Sequence, residues 1–174
     1  MTVATGNLDR IDRFLAASVP AVRWLLGIQC LLSGLNWWFK VLPFPNLFDP
    51  PGMPVKSAIV GVMIQSGWMF TAAKAIEVLL GLSLVFNRFV PLMLVVSFPV
   101  IFMTFILDAL IGPTVLAWLQ GTAPIQHVGA KLLDATFFGG AVIVMQVYLM
   151  LTHFDAYRPL FAPKAAPSWP ERGA

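Results

Sequence analysis

Charge is scarce in this chain. Of its 174 residues only 11% are Asp, Glu, Lys or Arg, while 59% are hydrophobic. An ordinary soluble domain is about 25% charged and about 45–50% apolar. A soluble domain this small would lack the polar side chains to cover its surface. Composition therefore excludes a soluble enzyme and a disordered regulator. Lys and Arg form no cluster, so nucleic acid is excluded as a partner, and the net charge of +3 is ordinary for a membrane protein with basic ends. Cys30 is the only cysteine, which rules out an internal disulfide, a CxxC redox pair and a cysteine-based zinc site. The two histidines, His127 and His153, stand far apart and belong to no ligand-spaced motif, so no metal site is expected. No phosphate-cradling glycine loop and no nucleophile elbow occur.

What the chain has instead is long apolar runs and a mean hydropathy of +0.83. A helical span needs roughly 20 apolar residues, so this length holds three to five. The expected fold is an all-α membrane protein: a four-helix transmembrane bundle with an interfacial N-terminal helix and a short extra helix before span two. Residues 1–19 carry Leu8, Ile11, Phe14 and Leu15 at helical spacing between acids and arginines, an amphipathic pattern suited to the membrane interface. The bundle is expected over 20–155, with spans near 20–42, 68–87, 89–110 and 131–153. Pro20 suits the start of span one, and the prolines that crowd residues 43–54 end it. Residues 43–56 therefore read as a loop. Ser57 to Gly67 is apolar but too short to cross, so it reads as an interfacial or re-entrant helix. Arg88 separates spans two and three with almost no loop, which forces them to be antiparallel neighbours. Pro99 falls near the middle of span three. Residues 111–130 are rich in Gly and Pro and read as a loop with a short helix around 115–119. The proline-rich tail 156–174 is expected to be disordered.

Four spans put both termini on one side. Seven of the basic residues fall with the termini and four on the other side. That asymmetry predicts cytoplasmic termini.

The few polar residues inside the spans carry the functional signal. Gln29, Ser33, Asn36 and Lys40 recur at helical spacing on one face of span one. Lys74 and Glu77 lie three apart in span two. Span three has Ser97, Thr104 and Asp108, and span four opens with Lys131 and Asp134 and carries Gln146 deeper. A charge at a helix centre costs about 2.5–3.5 kcal/mol on insertion scales, so these groups should face the bundle axis. Following the span directions puts Gln29, Asn36, Lys40, Lys74, Glu77, Asp108 and Asp134 around a polar vestibule in the outer half, with Glu77 as its deepest ionisable group. Two readings stand. In one, the charges are interhelical pairs that fix bundle register. In the other, the vestibule binds a small polar ligand or takes a quinone headgroup from the lipid. Gly27, Gly34 and Gly81 read as close-packing positions.

The motifs of spans one and two also resemble a known family. Arg23-Trp-Leu-Leu-Gly27, Gly34, Lys40 and Glu77-Val-Leu-Leu-Gly81, within four spans over residues 20–155, resemble the DoxX family of small bacterial membrane proteins. The resemblance implies a four-helix bundle in the cytoplasmic membrane that serves as a subunit of a redox or quinone-linked complex. It also implies a protein partner or homo-oligomer in the bilayer, and no covalent cofactor. The alternatives are a structural or assembly subunit docking a larger membrane partner, and a small-solute or proton-coupled carrier using Glu77. The absence of internal repeats disfavours the carrier.

Overall fold

The computed structural model describes residues 3–42 and 54–161; the segment 43–53 and the tail 162–174 lie outside the described residues. Every regular element among the described residues is helical. In chain order they are α1 (Val3–Phe39), α2 (Pro54–Gln65), α3 (Met69–Phe86), α4 (Val90–Ala109), α5 (Gly112–Leu119), α6 (Ile125–Leu133), a π-helical segment (Asp134–Gly140), α7 (Ala141–Thr152) and α8 (Phe154–Tyr157), followed by a 3-10 turn (Arg158–Phe161). Among the described residues, four runs are long and apolar enough to cross a membrane: Ala16–Phe39, Met69–Phe86, Val90–Leu119 and Ile125–Thr152. Leu26, Cys30, Leu80, Leu84, Leu94 and Leu149 form the buried core where these runs meet.

The tightest pair is α1 with α3. A Cβ on Gly34 would stand 2.6 Å from Val78 Cγ2 and 3.0 Å from the Lys74 carbonyl oxygen. One on Gly81 would stand 2.6 Å from Leu31 Cγ and 2.9 Å from the Gly27 carbonyl oxygen. Without side chains at these positions the two backbones approach closely, as small residues allow in membrane bundles. Gly34 faces Lys74 and Val78 while Gly27 faces Gly81 and Leu84, so the helices run antiparallel.

The α3–α4 hairpin is as short as the sequence implies. Asn87 and Phe89 both take left-handed backbone angles, with φ of 54° and 57°. Asn tolerates that region, whereas a residue such as Phe pays roughly 1–2 kcal/mol. Ser83 compensates: its hydroxyl donates to the Arg88 carbonyl, and the Arg88 N–H donates to the Ser83 carbonyl at 3.0 Å. Tyr157 of α8 is buried, and its hydroxyl donates to the Pro91 carbonyl in the first turn of α4 at 2.9 Å. Burial pushes its phenol above the usual tyrosine range. The hairpin, the start of α1 and the end of α7 thus share one end of the bundle.

Helix α2 begins at Pro54 rather than 57, and the third apolar run continues through α5 to Leu119 rather than ending at 110. Three further boundaries differ from the sequence reading. First, α1 runs unbroken through Pro20. The expected interfacial helix and span one are one helix, and Pro20 lies inside it rather than at a start; a proline costs one backbone hydrogen bond there, which membrane helices tolerate. Second, the fourth span begins at Ile125 rather than 131 and contains a π-helical segment. Pro124 immediately precedes the first helical residue, where its missing N–H is no loss, and Gly129 is carried inside α6. Third, residues 156–161 of the expected tail belong to α8 and the 3-10 turn.

Candidate functional site

Two ion pairs face a common cavity. The first belongs to the α1–α3 interface. Lys74 Nζ donates to Glu77 Oε1 at 3.0 Å and to Oε2 at 2.8 Å, one turn apart on α3. Ser33 of α1 donates to Glu77 Oε2 at 2.8 Å and accepts from Lys74 Nζ at 2.9 Å, closing a triangle of charge-assisted bonds. The close approach of Gly34 to the Lys74–Val78 turn of α3 is what brings Ser33 within reach. The ammonium also lies 5.5 Å from the Phe70 ring centroid, within cation–π range.

The second pair joins α2 to α4. Lys56 Nζ stands 2.7 Å from Asp108 Oδ1, and both side chains are buried. Lys131 of α6 is buried beside them and donates to the Leu107 carbonyl at 3.3 Å. Gly139 makes room for the acid, since a Cβ there would fall 2.7 Å from Asp108 Cβ. The π-helical segment that carries Gly139 is a rare geometry that concentrates at functional sites.

Between the pairs lies a cavity of about 340 Å³, lined by Lys56, Lys74, Glu77 and Asp108 and walled by Met63, Trp68, Phe70, Pro99 and Met103. That volume falls in the range of small-molecule sites, and apolar walls with a few convergent polar groups are their usual composition. The cavity runs from the charged level near Asp108 down to Pro99, inside the apolar length of α4.

The structure brings Lys74, Glu77 and Asp108 to this cavity. It sends the other expected residues elsewhere. Gln29 points its amide at the Phe137 carbonyl of the π-helical segment, at a long 3.5 Å. Asn36 closes the end of its own helix: its Oδ1 accepts from the Leu42 N–H at 2.7 Å, and its Nδ2 donates to the Leu42 carbonyl at 3.2 Å. Lys40 lies beyond the last residue of α1, with a φ of 51°, and is exposed. Because α1 ends at Phe39, Lys40 leaves the expected face and Asn36 turns to the chain beyond the helix, while Ser33 on that face joins the Lys74–Glu77 pair. The side chain of Asp134 lies outside the described residues. Gly27, Gly34 and Gly81 are packing positions.

Sequence reasoning left Lys56 in a loop because of the prolines around it. It is instead a buried member of α2. Enclosure also reorders the ionisable groups: Glu77 is 6% exposed, while Asp108 and Lys131 are each 1% exposed. Away from the cavity, Gln146 of α7 donates to the Leu94 carbonyl at 2.8 Å and to Ser97 Oγ at 3.0 Å, a buried crossing of the bundle centre. His153 places Nδ1 2.8 Å from the Leu149 carbonyl at the end of α7.

Fold and spans define an all-α, multi-pass integral membrane protein. No family model matches the chain, no curated protein matches it, and no solved structure matches it.

Proposed function

We propose that this protein is a membrane-embedded binding subunit whose α2–α3–α4 cavity takes a lipid-soluble ligand with a polar headgroup. The observation that carries the reading is the pairing of Lys56–Asp108 and Lys74–Glu77 around one apolar-walled cavity. A quinone fits these residues: two ammonium groups on different walls offer donors to two carbonyl oxygens, and the methionine and aromatic walls suit a ring and an isoprenoid tail. When bound, such a group would supply the electron chemistry. Lys56 and Lys74 would orient it, and the surrounding apolar side chains would keep water out. With the DoxX resemblance, this reading makes the chain a subunit of a redox complex, working with a protein partner or a second copy. The seven-to-four split of basic residues read from the sequence supports cytoplasmic ends, and the DoxX resemblance adds a bacterial cytoplasmic membrane.

Native mass spectrometry of the gently solubilised protein tests it. Quinone should co-purify at up to one per chain, be displaced by a headgroup analogue, and be lost from folded Glu77→Gln. Folded Glu77→Gln that retains quinone unchanged, or wild-type protein that binds none when quinone is supplied, overturns it.

A structural reading has its own support. Each carboxylate already holds an ammonium, and Ser33 completes the Glu77 set. On that reading Glu77→Gln and Asp108→Asn fail to fold rather than lose a ligand.

A further inference from the structure

A second site lies at the opposite end of the molecule. The outer flank of the α3–α4 hairpin carries a wide groove of about 830 Å³ with Arg88 at its end. Leu79, Leu82 and Phe86 of α3 form one wall, and Phe89, Leu92 and Met93 form the other. On α3 the lining runs from Leu79 to Phe86, about two helical turns or roughly 10 Å of helix rise. All but Met93 of these six apolar side chains are exposed, so in a bilayer the groove faces lipid.

The charge at that end says what the groove holds. The Arg88 side chain is exposed and has no hydrogen bond or ion pair among the described residues. Its backbone is fixed from both sides by Ser83, so the guanidinium springs from a rigid point between two exposed phenylalanines. Two more arginines reach the same end. Arg23 lies one turn before Gly27 on the face that packs against α3, and its buried Nε has no hydrogen-bond partner. Arg158 follows Tyr157, which is bound to the start of α4. Against these three, Asp155 is the one acid whose side chain is described there.

From this juxtaposition we propose that the hairpin binds an anionic phospholipid of the adjacent leaflet, with Arg88 on the phosphate and one acyl chain in the groove. A guanidinium forks onto two phosphate oxygens, and its stem follows apolar surface to the headgroup level. The apolar walls supply a bed for the chain directly below the charge. Basic pockets beside membrane helices select anionic headgroups by the same logic. This site shares no residue with the α2–α3–α4 cavity and stands whether or not the cavity binds a quinone.

The test is native mass spectrometry of delipidated protein titrated separately with phosphatidylglycerol, phosphatidylcholine and inorganic phosphate. Wild type should retain one phosphatidylglycerol per chain at least ten-fold more strongly than phosphatidylcholine. Arg88→Gln should bring the two lipids to the same level. Leu82→Trp, which fills the groove without touching the charge, should weaken retention of phosphatidylglycerol by a similar factor. Equal retention of both lipids by wild type, or selectivity that survives Arg88→Gln, overturns the proposal. So does inorganic phosphate competing as well as the lipid, since that would make the site a phosphate site with no use for the groove.

Discussion

At Gly81 a hydrogen stands where any other side chain would meet the Gly27 carbonyl oxygen at 2.9 Å. Gly81→Ala must push α1 from α3 and pull Ser33 away from Glu77. We expect a loss of about 1–3 kcal/mol, the usual cost of overpacking, read as a lowered midpoint in thermal unfolding in detergent. Gly61→Ala is the control: nothing lies within 4 Å of a Cβ there, and α2 is helical through it. That variant should hold or gain up to about 1 kcal/mol from helix propensity. A Gly81→Ala protein as stable as wild type would remove close approach as the basis of the pair. The residues legible in the sequence were those whose partner is one helical turn away or directly across a glycine contact. Lys74 and Glu77 are three apart on one helix, so their pairing follows from helical geometry. Asn36 and Lys40 were misplaced because their position depends on where α1 stops, and a stop at Phe39 turns one into a cap and leaves the other in solvent.

Elements were legible where polar residues interrupt the apolar runs. Asn87 and Arg88 between two apolar stretches fix the ends of α3 and α4 to within a residue or two. Proline and glycine misled in both directions. Pro20 reads as a helix start and sits within a helix, and Pro124 and Gly129 read as loop while α6 starts directly after the one and runs through the other. The π-helical segment has no signature in the sequence beyond Gly139 and Gly140, and it forms where Gly139 closes on Asp108 of α4. Helix α2 was foreseen, but its attachment was not. The buried Lys56–Asp108 pair fastens it to α4, and removing one partner of a buried pair costs about 3–5 kcal/mol. Lys56→Gln should therefore free α2 before it harms the bundle. Hydrogen exchange should quicken across Pro54–Gln65 and stay slow in Met69–Phe86. Equal protection of α2 in the variant and the wild type would show that apolar packing alone holds it.

For the whole molecule, composition settled the class and the apolar runs settled the number of crossings. The direction of each crossing then follows from the hairpins. The α3–α4 turn and α8 lie at one end, and the turn between α5 and α6, which contains Thr122, lies at the other. Ala156→Cys and Thr122→Cys, both at exposed positions, should react with a membrane-impermeant maleimide from opposite faces of the bilayer in intact cells and inverted vesicles. Labelling of both from the same face would break the four-span arrangement. That experiment is clean because of Cys30. The chain has no other thiol, and this one is 3% exposed among the core leucines. The native protein should thus be silent to bulky thiol reagents, with Cys30 becoming reactive only when α1 parts from its neighbours. The wild-type sequence carries its own reporter of bundle opening, and the rate at which Cys30 is modified under denaturant is a direct clock for that event.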